Sequence, residues 1–178
     1  DYRLFEIIHQ YAGRGGVADA LGIFFAEWVL PLAAVMFLIL WVVGTVQEKP
    51  WRGVLLRALV AGVLTKGIGF MFDMLLLLPR PFAALGFDPL VNADLLGSSF
   101  PSGHTSFMVA LALVLWYEAK TLYAKKISYI FIVLALVVGM ARVFAGVHWP
   151  FDIIGGLFNG LLAASIIEAV HRRLERHV

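Results

Sequence analysis

The segment ALGIFFAEWVLPLAAVMFLILWVVGTV, residues 20–46, decides the class of fold. Glu27 is its only charged side chain, and the run is long enough to cross a hydrocarbon core of roughly 30 Å, which takes about 20 apolar residues in a helix. Comparable runs follow at roughly 53–79, 104–118, 127–146 and 152–170. The third is short, but polar backbone at its His104 end is tolerated below the membrane surface if it lines a protein cavity. Before the first run, Leu4, Ile7, Ile8 and Tyr11 share one helical face while Arg3, Glu6 and Gln10 lie elsewhere, the pattern of a helix resting in the interface over residues 2–12. The expected fold is therefore all-α and integral to the membrane: a bundle of about five transmembrane helices plus an N-terminal interfacial helix.

Composition agrees. Of 178 residues, 61% are hydrophobic and 15% charged, and the mean hydropathy of +0.89 leaves too little polar surface for a soluble domain. No Pro/Gly/Ser-rich linker or internal repeat divides the apolar runs, so residues 1–178 read as a single domain. A net charge of +2 and a pI near 9.1 do not mark a nucleic-acid surface, because the basic residues sit at the ends of apolar segments, where they set topology. Without cysteine, disulfides and thiolate metal sites are excluded. Residues 1–16 are amphipathic and lack the unbroken apolar core of a signal peptide.

Lys and Arg concentrate on the cytoplasmic side of short loops. Lys49, Arg52 and Arg57 flank the first turn, Lys120, Lys125 and Lys126 the third, and Arg172, Arg173 and Arg176 the tail, all on one side of a five-span chain. This orientation puts the N-terminus outside, the C-terminus in the cytoplasm, and the opposite loops on the extracytoplasmic face.

Polar groups interrupt the apolar pattern on that outer face: Arg80-Pro81 after the second run, Pro101-Ser102-Gly103-His104 opening the third, Arg142 ending the fourth, and His148 with Asp152 before the fifth. Ionisable groups are costly in a membrane, so their convergence on one side calls for a function. Arginine grips phosphate oxygens in pairs and stays charged at any working pH, which makes Arg80 and Arg142 two clamps. The Pro-Ser-Gly-His run opens a helix whose free N–H groups and dipole favour an anion, with Gly103 letting the backbone approach and Ser102 able to donate. Phosphoryl transfer further needs a nucleophile and an acid for the leaving oxygen, and His104 and His148 are available to divide those tasks. Pro150 marks the first helical position of the last run, so Asp152 falls in its first turn, placed to orient the His148 imidazole through its second nitrogen.

These residues resemble the motifs of the type 2 phosphatidic acid phosphatase (PAP2) superfamily: K-x6-R-P, then P-S-G-H, then S-R-x5-H-x3-D. The resemblance implies that His148 is a nucleophile forming a phosphohistidine, that Asp152 orients it, and that His104 is the general acid. It also implies that Arg80, Ser102, Gly103 and Arg142 hold the phosphate, with no metal or other cofactor. Beyond the motifs, the opening Leu4-Phe5-Glu6-Ile7-Ile8 to Gly13, the stretch from Pro79 to Gly86, and Gly146-Val147-His148-Trp149-Pro150 are similar to the bacitracin-resistance type of undecaprenyl-diphosphatase. That likeness implies hydrolysis of undecaprenyl diphosphate to undecaprenyl phosphate in the bacterial plasma membrane, in the service of cell-wall biogenesis.

The chain departs from the pattern at Ala141, where the motif has serine, and at Asp73, where it has lysine. The nearest lysine, Lys66, precedes Arg80 by fourteen residues, about 21 Å of straight helix, out of reach of the same phosphate. Lys66 and Asp73, about two turns apart on one face, read as a structural pair within the bundle. The loop 82–100 carries Phe82, Leu85, Phe87, Leu90, Val91, Leu95, Leu96 and Phe100, either a cover for a lipid chain or a packed surface loop. The expected partners are a lipid phosphate or diphosphate and the membrane itself, with no nucleic acid. Phosphatidylglycerol phosphate, phosphatidic acid and lipid A phosphate are alternative substrates, transfer of the phosphate to another lipid is an alternative reaction, and a transporter or membrane scaffold is the non-enzymatic alternative.

Overall fold

The structure, a computed structural model, describes residues 1–93 and 97–176. Among them every regular element is helical. The chain opens with α1 (Tyr2–His9); α2 (Val17–Ile23) then passes through a π turn at Phe24–Trp28 into α3 (Val29–Val46). There follow α4 (Arg52–Leu76), the short α5 (Pro81–Leu85), α6 (Gly103–Glu118), α7 (Leu122–Phe144) and α8 (Pro150–Glu175).

Among the described residues four helical segments are long and apolar enough to cross a membrane: Val17–Val46, Arg52–Leu85, Ala124–Phe144 and Pro150–Glu175. The 16 residues of α6 rise only about 24 Å, less than the full hydrocarbon core. α6 is instead the central helix of the bundle, packed against α4, α7 and α8, with Met108, Ala110 and Leu111 fully buried. A helix that is apolar or small on every side can take that place because it presents no polar face to solvate. The outer helices turn the other way, exposing Leu32, Val35 and Ile39 of α3 and Phe158 and Leu161 of α8. Such an apolar perimeter is the surface of a multi-pass membrane protein, whose solvent on those faces is lipid.

Close packing at the centre depends on small residues. At Gly156 and Gly160 of α8 an added Cβ would stand 2.9 Å from the Ser102 carbonyl oxygen and 2.6 Å from that of Ser106, both backbone atoms of the α6 segment that cannot move aside. This glycine pair, four apart, lets α8 lie directly on α6, the small-residue contact by which membrane helices associate.

Several element ends differ from the sequence expectation for local reasons. α4 stops at Leu76, before the expected residue 79, because Leu77 adopts the left-handed conformation (φ 42°, ψ 42°) ahead of Pro79 and Pro81. α8 runs on to Glu175, past the expected residue 170. α1 seats Phe5 in the interior, tilted on the Trp149 ring, while His9 Nδ1 lies 2.8 Å from the Phe144 carbonyl; Leu4, Ile7 and Tyr11 stay exposed. In the 82–100 loop, Phe82 and Val91 pack inward against Ala26, Ala141, Ala145 and Val147, so this part of the apolar set is core; Leu95 and Leu96 lie outside the described residues.

The bundle has two unlike poles. At one, Arg57 of α4 pairs with Glu118 of α6 at 2.6 Å, and His171 of α8 lies 3.6 Å from the same carboxylate. The other gathers the end of α4, the start of α6, the end of α7 and the start of α8.

Candidate active site

The second pole holds a cavity of about 330 Å³ whose lining includes Lys66, Asp73, Arg80, Gly103, His104, Arg142 and His148. Lys66 and Asp73 project from α4, while the other side chains arrive there at helix ends and turns. After α7, Gly146 takes a positive φ of 83° and reverses the chain, and Val147 N donates back to the Arg142 carbonyl at 3.2 Å. His148 follows, and Pro150 opens α8 at its first position.

Asp152, in that first turn, accepts from Trp149 N at 2.7 Å, so one carboxylate oxygen both caps the helix and faces the imidazole, whose Nδ1 lies 3.4 Å away. The other oxygen accepts from the Ser99 hydroxyl at 3.5 Å. With Nδ1 turned to the carboxylate, Nε2 is left toward the cavity, where Arg80 Nη1 stands 3.5 Å from it. An arginine only donates, so this contact requires an unprotonated Nε2. Burial is the largest influence on His148, followed by the charges of Arg142 and Arg80, and together they hold its pKa well below the usual histidine value. The imidazole is thus kept neutral, with its lone pair on the cavity side.

Arg80 sits at the entry to α5, with Pro81 at the first helical position, and donates to the Val147 carbonyl at 3.0 Å. Arg142, in the last turn of α7, is 6% exposed; its Nη1 donates to the Ala26 carbonyl at 3.3 Å, and its buried Nε has no hydrogen-bond partner among the described residues. Ala26 belongs to the π turn, just ahead of Pro31, which has no N–H to return to the preceding turn. The distortion thereby supplies an anchor for the arginine, in keeping with the placing of π turns near functional sites.

The Pro101-to-His104 run delivers Gly103 and His104 to the cavity wall. Ser102 is not part of that wall. It is fully buried, its hydroxyl 3.1 Å from Thr105 Oγ1 and its N–H donating to the Asp152 carbonyl at 3.0 Å, a tie between the starts of α6 and α8. Asp152 likewise stands behind His148 rather than on the wall.

Lys66 corrects the sequence reading. The 21 Å separation from Arg80 assumed one straight helix, but α4 breaks at Leu77 and the chain turns back, tied by Ser99 N to the Leu78 carbonyl at 2.8 Å. Lys66 and Arg80 therefore line the same cavity. Lys66 and Asp73 form no direct ion pair among the described residues, so the expected structural pair is not made. Ser99 was missed as well; its only signal was its place in the polar run before Pro101. Among the described residues no cluster of three or more His, Asp or Glu side chains could hold a metal ion.

Comparison with known proteins gives the arrangement a context. The chain is 27% identical over 164 residues to Undecaprenyl-diphosphatase BcrC of Bacillus subtilis (strain 168), covering 91% of this chain and 79% of that protein. It is 27% identical over 166 residues to the Bacitracin transport permease protein BcrC of Bacillus licheniformis, covering 92% and 76%. Among solved structures it resembles that of Aquifex aeolicus LpxE, with a TM-score of 0.70, 23% identity, and coverage of 95% of this chain and 94% of that one, a likeness of fold. The pattern of the PAP2 superfamily matches residues 52–176, which span α4 to the end of α8 and every residue of the cavity lining, and the chain belongs to that superfamily.

Proposed function

We propose that this chain is a membrane lipid phosphatase that hydrolyses a lipid diphosphate, undecaprenyl diphosphate above all, to the lipid monophosphate and inorganic phosphate. The observation that carries the reading is the His148 imidazole, neutral and backed by Asp152, with Nε2 open to a cavity that also holds Arg80, Arg142 and His104. His148 Nε2 attacks the terminal phosphorus while Arg80 and Arg142 bind its oxygens, with the Gly103 backbone closing the cradle. As the bond to the bridging oxygen breaks, His104 gives a proton to that oxygen and Asp152 supports the charge on His148. Water, deprotonated by His104, then releases phosphate from the phosphohistidine. Ser102 joins the α6 and α8 ends and so fixes the spacing of the two histidines. No metal enters this sequence.

The setting follows from the same reading. Residues 1–178 act as one domain of five spans, α6 being the short central one, in a bacterial plasma membrane. The cavity faces the extracytoplasmic side, and the pole bearing Arg57 and His171 faces the cytoplasm. One relative's name speaks of transport, but a transporter has no need of a histidine–carboxylate pair facing two arginines. The test is phosphate release by purified protein from undecaprenyl diphosphate, phosphatidylglycerol phosphate, phosphatidic acid and a lipid A phosphate, each with and without a chelator. Fastest turnover of the polyprenyl diphosphate, unaffected by chelation, is expected; release from none of them would end the phosphatase reading.

A further inference from the structure

Lys66 lies in α4 about 21 Å from the Arg52 end and about 15 Å from the Leu76 end, near the middle of the hydrocarbon core. Its side chain is nevertheless exposed. At that depth an exposed ammonium is tolerated only where it faces a water-filled cavity, and Lys66 does line the one that holds the histidines. Asp73, which occupies the place of the motif lysine, is about 10 Å nearer the outer end of the helix. The cation of this chain has moved inward by two turns, and a carboxylate has taken its former place.

Two of the three cavity cations lie against different histidine segments. Arg80 Nη1 stands 3.5 Å from His148 Nε2. Lys66 Nζ instead rests on Gly103, 3.1 Å from where a Cβ on that residue would lie, one residue before His104. In a displacement at phosphorus the attacking and leaving atoms lie roughly in line on opposite sides. With His148 attacking and His104 serving the leaving oxygen, Arg80 is on the nucleophile's side and Lys66 on the leaving group's side. The lipid tail lies in the bilayer, so the leaving group points inward, toward the depth at which Lys66 is placed.

We propose that Lys66 binds the phosphate that stays on the lipid, and that it thereby makes the site select lipid diphosphates over lipid monophosphates. In a diphosphate, the bond from the terminal phosphorus to the bridging oxygen breaks, His104 gives that oxygen its proton, and Lys66 holds the negative charge that the lipid-side phosphate carries throughout. In a monophosphate the leaving atom is an ester oxygen with no second phosphate behind it, and Lys66 has no lipid-side phosphate to bind. The proposal rests on the phosphatase reading, with His148 as nucleophile.

The test compares kcat/KM for a C55 polyprenyl diphosphate with that for its monophosphate, in wild type, Lys66→Ala and Lys66→Arg. Because the ratio is taken within one preparation, partial misfolding of a variant cancels from it. Lys66→Ala should lose about 10- to 100-fold on the diphosphate, the range of a charge-assisted contact, and less than about threefold on the monophosphate. Lys66→Arg should keep most of the selectivity. An equal loss on both substrates would place Lys66 at the transferred phosphate and overturn the proposal, as would no loss on either. Phosphate release from neither substrate by wild type would instead remove the phosphatase reading, and this proposal with it.

Discussion

Replacing Asp152 by asparagine removes a charge while keeping the shape of the residue. The carboxylate lies 3.4 Å from His148 Nδ1, with both side chains 3% exposed, so solvent screening is slight. In the proposed attack of Nε2 on phosphorus the imidazole becomes cationic, and at an effective dielectric constant near 20 the attraction at that distance is about 5 kcal/mol. The amide dipole recovers part of this, leaving a cost of about 3–4 kcal/mol, or roughly 10²- to 10³-fold in kcat at 1.36 kcal/mol per decade. If the amide instead donates to Nδ1, the imidazole proton moves to Nε2 and the loss grows toward the roughly 10⁴-fold known for the wrong tautomer in a serine-protease triad. Asparagine still accepts from Trp149 N and caps α8 about as well, so stability should fall by no more than about 1 kcal/mol. The assay is steady-state phosphate release, beside thermal unfolding in detergent. A folded Asp152→Asn protein with kcat within threefold of wild type would refute the argument that the carboxylate supports a charged histidine.

Further outcomes follow from the same geometry. In the proposed reaction neutral His148 is the attacking form, so kcat/KM should fall as pH drops through its pKa; since burial and the arginines hold that pKa down, the midpoint of the acid limb should lie below 6.5, once the substrate's own ionisation near 6 is allowed for. A limb centred above 6.5 would contradict the assignment. Gly160→Val should lower the unfolding temperature by an amount equivalent to about 1–3 kcal/mol, because its Cβ meets the Ser106 carbonyl oxygen, whereas an unchanged midpoint would mean that α8 is free to draw back from α6. The chain has no cysteine, so single cysteines report topology: a membrane-impermeant maleimide on intact cells should label Asp88→Cys and spare Lys49→Cys. The reverse pattern would invert the orientation.

The helical, membrane-spanning class was plain from residues 20–46 and their successors, because hydropathy over 20 residues reports directly on the solvent. That the motifs meet was also legible, since the end of one span and the start of the next share a membrane face whatever the packing. Packing itself was not. The central position of α6 depends on what surrounds it, and only the small residues Gly156 and Gly160 of α8 hinted at a close neighbour. Lys66 was misplaced because distance along a straight helix stood in for distance in space, and the left-handed Leu77 carries no sequence signal as glycine or asparagine would. The partner of Arg142, the Ala26 carbonyl, lies 116 residues away, beyond any local pattern, and the disturbed turn ahead of Pro31 was not foreseen in the run 20–46. Ser102 matched its motif and yet faces Thr105 within the protein, since a motif gives the residue and the fold gives the direction of its side chain.

In the proposed reaction the transferred phosphate passes through His148. Wild-type protein should be mixed with a lipid diphosphate radiolabelled on its terminal phosphate, denatured in alkali within the first turnover, fragmented and sequenced. Label should appear on the fragment holding His148, stable in base and lost in acid, with neither label nor turnover in His148→Ala. Robust turnover by His148→Ala, or a label carried on any other residue, would contradict it.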